Sequence, residues 1–349
     1  MKHIKDKTAR KDERTKARKE QESEKNAFAL SSFRPFALYL KLIRIPNLLF
    51  LAMMQFLMHW AVVASILQDY DFEVVSGGMS LCLLIMATVF IAAGGYVLND
   101  YFDTKIDAIN RPEKVIVGQK IDKNTVMHFY QILTGVGVAC GLLLSFLARN
   151  YTLAFIFIVI PGLLWFYSSN YKRQFLVGNL VVSFCAALSV LVVAISEVVF
   201  LQNQFGELIF YTPIPQMIYT WIGGFALFAF VLTWIREIIK DMEDEKGDRE
   251  MECRTMPIKW GMKRTKIFLY ALISLTIIVL FTVGNLYIPF EGMLSVRYII
   301  FGLILPLVAL IYLIFKADIP ADFRQASTLS KIVMIIGVLY SLVFSWLIG

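Results

Sequence analysis

Nine stretches of about 20 apolar residues, each closed by a short polar or charged block, constrain this chain more than any other feature. They run roughly over 48–67, 79–98, 128–148, 151–167, 176–199, 216–235, 268–288, 298–315 and 332–348. A helix needs about 20 mostly apolar residues to cross the hydrocarbon core of a bilayer, so each stretch reads as one span. With 58% hydrophobic and 17% charged residues over 349 positions, a water-soluble domain is excluded. A transmembrane barrel would show segments of about ten residues alternating apolar with polar, and none is found. The predicted class is all-α, a polytopic membrane protein of nine transmembrane helices.

The 34 Lys and Arg residues test that count. Thirteen precede the first run, and alternate segments between runs divide the whole set 32 to 2. Basic residues collect on the cytoplasmic side, so the amino terminus is expected inside and the carboxyl terminus outside a cytoplasmic membrane. Only an odd number of spans permits that. Residues 1–25 carry ten basic and six acidic residues with scarcely an apolar one. Residues 1–40 are therefore expected to be a charged cytoplasmic tail, disordered or a frayed helix, with the membrane domain over 41–349. This is not the pattern of a signal peptide, because the first apolar run starts near Leu48. The net charge of +7 sits in tail and loops, which gives no pointer to nucleic acid. Cys82, Cys140, Cys185 and Cys253 contain no CxxC, and His3, His59 and His128 show no ligand spacing.

The long loops, 99–127 and 236–267, both fall on the expected inner side. The second span runs into NDYFDTKID (Asn99–Asp107) and the sixth into DMEDEKGD (Asp241–Asp248). Each places aspartates at i, i+3 and i+7, which fall within about 60° of one another on a helix and extend over roughly 10 Å. Carboxylates crowded this way repel, and become favourable when they share a hard divalent cation such as Mg²⁺, which also takes phosphate oxygens. The same spacing recurs four crossings later on the same side, as in an internal repeat. Asp100, Asp103, Asp107, Asp241, Asp244 and Asp248 are thus candidate metal ligands and catalytic residues. Six such charges facing a diphosphate require bridging cations, and nearby bases, Arg111, Lys240, Lys172 and Arg173 among them, complete the balance. Metal-bound diphosphate at the mouth of an apolar bundle suggests a prenyl diphosphate, whose tail can lie between helices.

NDYFDTKIDAINRP (Asn99–Pro112), REIIKDMEDEKGD (Arg236–Asp248), YSSNYKR (Tyr167–Arg173) and LIRIPN (Leu42–Asn47) together resemble the UbiA superfamily of intramembrane prenyltransferases. The resemblance implies nine transmembrane helices around a central cavity with cytoplasmic caps, and Mg²⁺-dependent prenyl transfer (EC 2.5.1.-) from a prenyl diphosphate. Carried over by position, it implies that Asn99, Asp100, Asp103 and Asp107 form one motif and Asp241, Asp244 and Asp248 the other. It also implies Tyr167, Lys172 and Arg173 near the diphosphate, with Arg44 and Asn47 as lining residues. Within the family, NRP (Asn110–Pro112) and RTMPI (Arg254–Ile258) bring the chain nearest to the branch that alkylates geranylgeranylglyceryl phosphate to make diether lipids. It departs from that branch at Glu252, Met256, Val115 and Val117, where the branch usually has Gly, Leu, Pro and Pro. Those departures bear on the acceptor and leave the diphosphate machinery untouched.

An aromatic-acceptor prenyltransferase of quinone or pigment synthesis is the nearest alternative. A cation-coupled transporter is the alternative from another class, since intramembrane acids also mark ion pathways. The aspartates here lie at inner ends of spans, whereas transporters favour the midplane. A CDP-alcohol phosphotransferase would show DGxxAR, which is absent.

Overall fold

A computed structural model describes residues 36–286 and 293–348. Most of the expected charged tail therefore lies outside the described residues. The chain divides at Ile45/Pro46 into two compact units. In the first, residues 36–42 are helical and Arg44 adopts a left-handed turn at φ +55°.

The second unit carries the bundle. Among the described residues nine helices are long and apolar enough to span: α1 (Ile45–Asp69), α2 (Gly78–Phe102), α4 (Lys123–Leu147), α5 (Tyr151–Ser169), α6 (Val177–Phe205), α7 (Ile214–Glu243), α9 (Met256–Asn285), α10 (Leu294–Lys316) and α11 (Pro320–Ile348). Two short helices interrupt the series, α3 (Thr104–Asn110) after α2 and α8 (Glu245–Glu250) after α7. No strand occurs among the described residues, only a single bridge between Val117 and Ile121. Each predicted run coincides with one of these helices to within a residue or so over its described part, residues 287–288 of the seventh run lying outside the described residues. Several continue past the apolar run, because intrahelical hydrogen bonding does not stop where side chains become charged. α7 outlasts its run by eight residues and so keeps Arg236–Glu243 helical.

Apolar packing is one-sided, as a bilayer solvent requires. α5 is almost wholly apolar, yet most of its side chains are not buried against the rest of the protein. Phe146, Tyr151, Phe155 and Phe166 all point outward, which in water would be a very large apolar patch. Inward, one apolar cluster joins α1, α2, α5, α6 and α7 through residues such as Met58, Leu84, Phe157 and Ile222. A second joins α7, α9, α10 and α11 through Ile238, Leu269, Leu307 and Phe323. Close helix approach is bought by glycine at Gly141, where a Cβ would lie 2.3 Å from Phe157.

The two ends of the bundle differ. At the end away from the aspartates, a π-turn over Met58–Val63 carries His59, whose Nε2 lies 2.8 Å from Ser76 Oγ and 3.5 Å from Glu197 Oε2. Ser76 also donates to Glu197. This ties the loop after α1 to α1 and α6 and gives buried Glu197 a structural job. At the other end, residues of the 99–127, 168–175 and 236–267 loops meet.

Candidate active site

Both aspartate trios are built the same way, and not on one continuous helix. α2 ends at Phe102 and α7 at Glu243. The middle aspartate of each trio is the break: Asp103 at φ −83°, ψ 0°, and Asp244 at φ −97°, ψ 8°. A short helix then resumes. The i to i−4 bonding carries across, with Asp103 N donating to Asn99 O at 2.9 Å and Asp107 N to Asp103 O at 2.8 Å. In the second trio Asp244 N donates to Lys240 O at 2.9 Å and Asp248 N to Asp244 O at 3.1 Å. The expected face therefore survives with a bend in its middle, and Thr104 Oγ1 covers the Tyr101 carbonyl left at that bend, at 2.9 Å.

The first set centres on Asp103, which is 5% exposed. Asn99 Nδ2 donates to its Oδ2 at 2.8 Å, and the Lys172 ammonium donates both to that oxygen and to Asn99 Oδ1, the latter at 3.2 Å. Lys172 lies in the tight turn Tyr171–Arg173 between α5 and α6, a connection too short to stray. Gly178 holds that turn down, since a Cβ there would sit 2.7 Å from Lys172 Cα. Asp100 occupies the last turn of α2 and Asp107 the middle of α3.

In the second set, Asn179 Nδ2 donates to Asp241 Oδ2 at 2.9 Å. Arg111 reaches across from the first loop, with Nη2 2.9 Å from Asp244 Oδ1 and 2.8 Å from Glu243 Oε1. Arg324 Nε, from α11, donates to the same Glu243 oxygen at 2.9 Å. Thr255 Oγ1 donates to the buried Asp248 at 3.1 Å. One turn deeper on α7, Glu237 accepts from Lys240 at 2.9 Å and from Arg236 at 2.9 Å.

Burial and mutual repulsion set the protonation of the loop carboxylates. Burial first, then the Asp103 carboxylate, push Asp107 up to about 6. Asp248 also stands at about 6, raised by burial and by Asp244 and Asp103 against the Thr255 bond. Burial raises Asp244, with Arg111 offsetting part of the shift. Lys172 is pulled down by burial, but Asp103 and its neighbours leave it above the ordinary lysine range.

The structure thus brings Asn99, Asp100, Asp103, Asp107, Arg111, Tyr167, Lys172, Asp241, Asp244 and Asp248 to one end of the bundle. Tyr167 ends α5 within the electrostatic reach of Lys172, Asp103 and Asp241. Arg173 has an exposed side chain, and its carbonyl accepts from Arg254 N at 2.8 Å. Lys240 faces Glu237. Asn47 accepts from Lys331 at 3.2 Å, and Arg44 belongs to the first compact unit. Four bases at this end, Arg111, Arg236 and Lys240 in the loops and Arg324 on α11, each hold a glutamate. Sequence reasoning passed over Asn110, Asn179, Glu237, Glu243, Thr255 and Arg324. Asn110, Glu237 and Glu243 lay inside the quoted motifs, but nothing in the sequence marks Asn179 or Arg324.

The donor set fits a hard divalent cation in chemistry, since it is all carboxylate oxygen and short of positive charge. Among the described residues no three of these acids converge on one ion-sized point. A cation here would take one or two carboxylates and fill its shell with water and phosphate oxygens, which is the habit of Mg²⁺.

Bundle, paired aspartate bends and capping lysine define a helical membrane protein with a carboxylate-rich cluster at one end. The UbiA prenyltransferase family matches residues 70–335, and the chain belongs to that family. It is a multi-pass membrane prenyltransferase. The digeranylgeranylglyceryl phosphate synthase of Sulfurisphaera tokodaii is 30% identical over 282 residues, covering 80% of this chain and 88% of its own. A structure concerned with digeranylgeranylglyceryl phosphate synthase in membranes shares the fold at a TM-score of 0.59, 22% identity, and coverage of 89% and 98%. A UbiA homologue from Archaeoglobus fulgidus bound to GPP and Mg²⁺ matches at a TM-score of 0.51, 15% identity, and coverage of 88% and 99%.

Proposed function

We propose that this protein transfers a geranylgeranyl group from geranylgeranyl diphosphate to the free hydroxyl of geranylgeranylglyceryl phosphate, at the cytoplasmic face of the cell membrane and with Mg²⁺. The observation that carries this reading is the meeting of two carboxylate sets with Lys172 between α5 and α6, beside spans whose apolar faces suit a polyprenyl tail. Support for the acceptor comes from the relative's name. The Archaeoglobus neighbour, with GPP and Mg²⁺, supports the donor class and the metal.

When bound, Mg²⁺ supplies positive charge to the departing diphosphate. The carboxylates of Asp100, Asp103, Asp107, Asp241, Asp244 and Asp248 would hold and orient that cation. Lys172 brings a further positive charge to the diphosphate, with Asn99 fixing where its ammonium sits. Tyr167 closes the inner end of α5 beside them. The allylic C–O bond breaks with its electron pair leaving on diphosphate, the acceptor oxygen forms the ether bond, and the hydroxyl proton is released. Arg173, Lys240, Arg44 and Asn47 are assigned to substrate binding.

A second reading, transfer to an aromatic acid, is favoured by the pairing of Arg111, Arg236, Lys240 and Arg324, which leaves fewer bases for an acceptor's phosphate. Membranes containing the protein, given labelled geranylgeranyl diphosphate with glyceryl-phosphate ethers, hydroxybenzoate or dihydroxynaphthoate, distinguish the two by product mass. Prenylation of geranylgeranylglyceryl phosphate is expected. Efficient transfer to an aromatic acid alone would replace this reading. Asp100→Ala and Asp244→Ala are each expected to abolish turnover without loss of insertion.

A further inference from the structure

The two aspartate loops are joined by an amide. Asn110, the last residue of α3, accepts from Gly247 N at 2.9 Å and donates to Asp244 O, its Nδ2 at 3.3 Å. These partners fix the amide's orientation, since one is an N–H and the other a carbonyl. Gly247 is the third residue of α8, where a backbone N–H has no intrahelical partner and is ordinarily covered by the side chain of the capping residue. Asp244 holds that capping position but makes no such bond, because Arg111 engages its carboxylate. The cap of α8 is supplied instead from the other loop. Contact is close enough to require glycine: a Cβ on residue 247 would lie 2.5 Å from Asn110 Nδ2 and 2.6 Å from Oδ1.

Position gives the bond its consequence. Asp107 lies one turn before Asn110, and Asp248 directly follows Gly247. Like charges on the two loops push α3 and α8 apart, Asp107 feeling Asp244 and Asp248 feeling Asp103. Beside the Arg111 ion pairs to Glu243 and Asp244, the Asn110 amide is a second metal-independent tie between the loops, and it adds no charge to this repulsion.

We propose that Asn110 is a positioning residue that holds the two carboxylate sets at working separation before any cation arrives. The inference rests on the proposed Mg²⁺–diphosphate reading. Its test is a Mn²⁺ titration of the full-length protein in detergent with inorganic diphosphate, read by electron paramagnetic resonance, alongside thermal unfolding without metal. Asn110→Ala removes two hydrogen bonds and is expected to raise the half-saturating Mn²⁺ concentration roughly tenfold. Metal-free unfolding should be little changed, as should the acceptor KM. Gly247→Ala should act in the same direction, by displacing the amide. The double variant should be no worse than the poorer single one, because both break the same contact. Unchanged Mn²⁺ affinity in folded Asn110→Ala, or additive effects in the double variant, would overturn the proposal. Failure of both single variants to fold would also overturn it, making Asn110 a stability element. If the wild-type protein takes up no Mn²⁺ with diphosphate, the metal reading itself falls.

Discussion

The Lys172 ammonium rests on the Asp103 carboxylate while also donating to Asn99 Oδ1 at 3.2 Å, so one base from the α5–α6 turn closes the end of the first aspartate motif. Asp103 is only 5% exposed, which limits what water can do for its charge. Removing Lys172 leaves a buried carboxylate held by Asn99 alone and takes a charge from the diphosphate site. Hydrogen bonds to charged groups contribute about 1.5–3 kcal/mol. Lys172→Ala is therefore expected to raise the donor KM roughly 10- to 100-fold, with a smaller change in acceptor KM. Steady-state kinetics with donor varied at fixed acceptor checks this, and an unchanged donor KM would remove Lys172 from the site.

The pH dependence follows from Asp107 and Asp248. Both stand at about 6, above the ordinary aspartate value of 3.8. The folded state thus binds protons more tightly than the unfolded state between about pH 4 and 6, and metal-free stability should fall as pH rises through that window. Cation binding should move the other way, because the ligands must lose those protons first. Thermal unfolding in chelator at pH 4.5 and 7 tests the first half. The Mg²⁺ requirement for turnover, expected to climb as pH drops below about 6, tests the second.

Glu252 adopts φ +55°, a left-handed conformation that costs a residue with a Cβ about 1–2 kcal/mol. This is one of the positions where the family resemblance leads one to expect glycine. Val115, at φ −60° and ψ 125°, likewise keeps a backbone that proline would accept. Glu252→Gly is expected to stabilise the protein by about 1 kcal/mol. Thermal unfolding in detergent should show the gain, and a lower midpoint would contradict it.

The orientation expected from the 32 to 2 split of basic residues can be tested independently of chemistry. A reporter fused after Gly349 should lie outside the cell, and one inserted near Lys120 should be cytoplasmic. A cytoplasmic reporter at Gly349 would mean that one of the nine helices does not span.

The apolar helices, their order and the gathering of the aspartates at one end of the bundle were legible in the sequence, because the bilayer imposes one solvent requirement on every crossing segment. A run of about 20 apolar residues has few alternatives to a helix when each unsatisfied peptide group in hydrocarbon costs several kcal/mol. The two motifs were legible for a similar reason, since three aspartates at helical spacing are costly unless a cation is shared. Their bends at Asp103 and Asp244 were not, as helical periodicity says nothing of where ψ shifts toward zero. Nor was the assignment of charges. Sequence gives Arg111 and Lys240 only as bases near the expected diphosphate; the structure adds that Arg111 lies against Glu243 and Asp244, and Lys240 against Glu237. Asn110 and Gly247 stand 137 residues apart, and Arg324 and Glu243 81 apart. Pairings of that kind depend on which helices the folded bundle sets side by side. Apolar length in the sequence marks which helices can cross a bilayer; only packing decides which side chains share one end of the bundle.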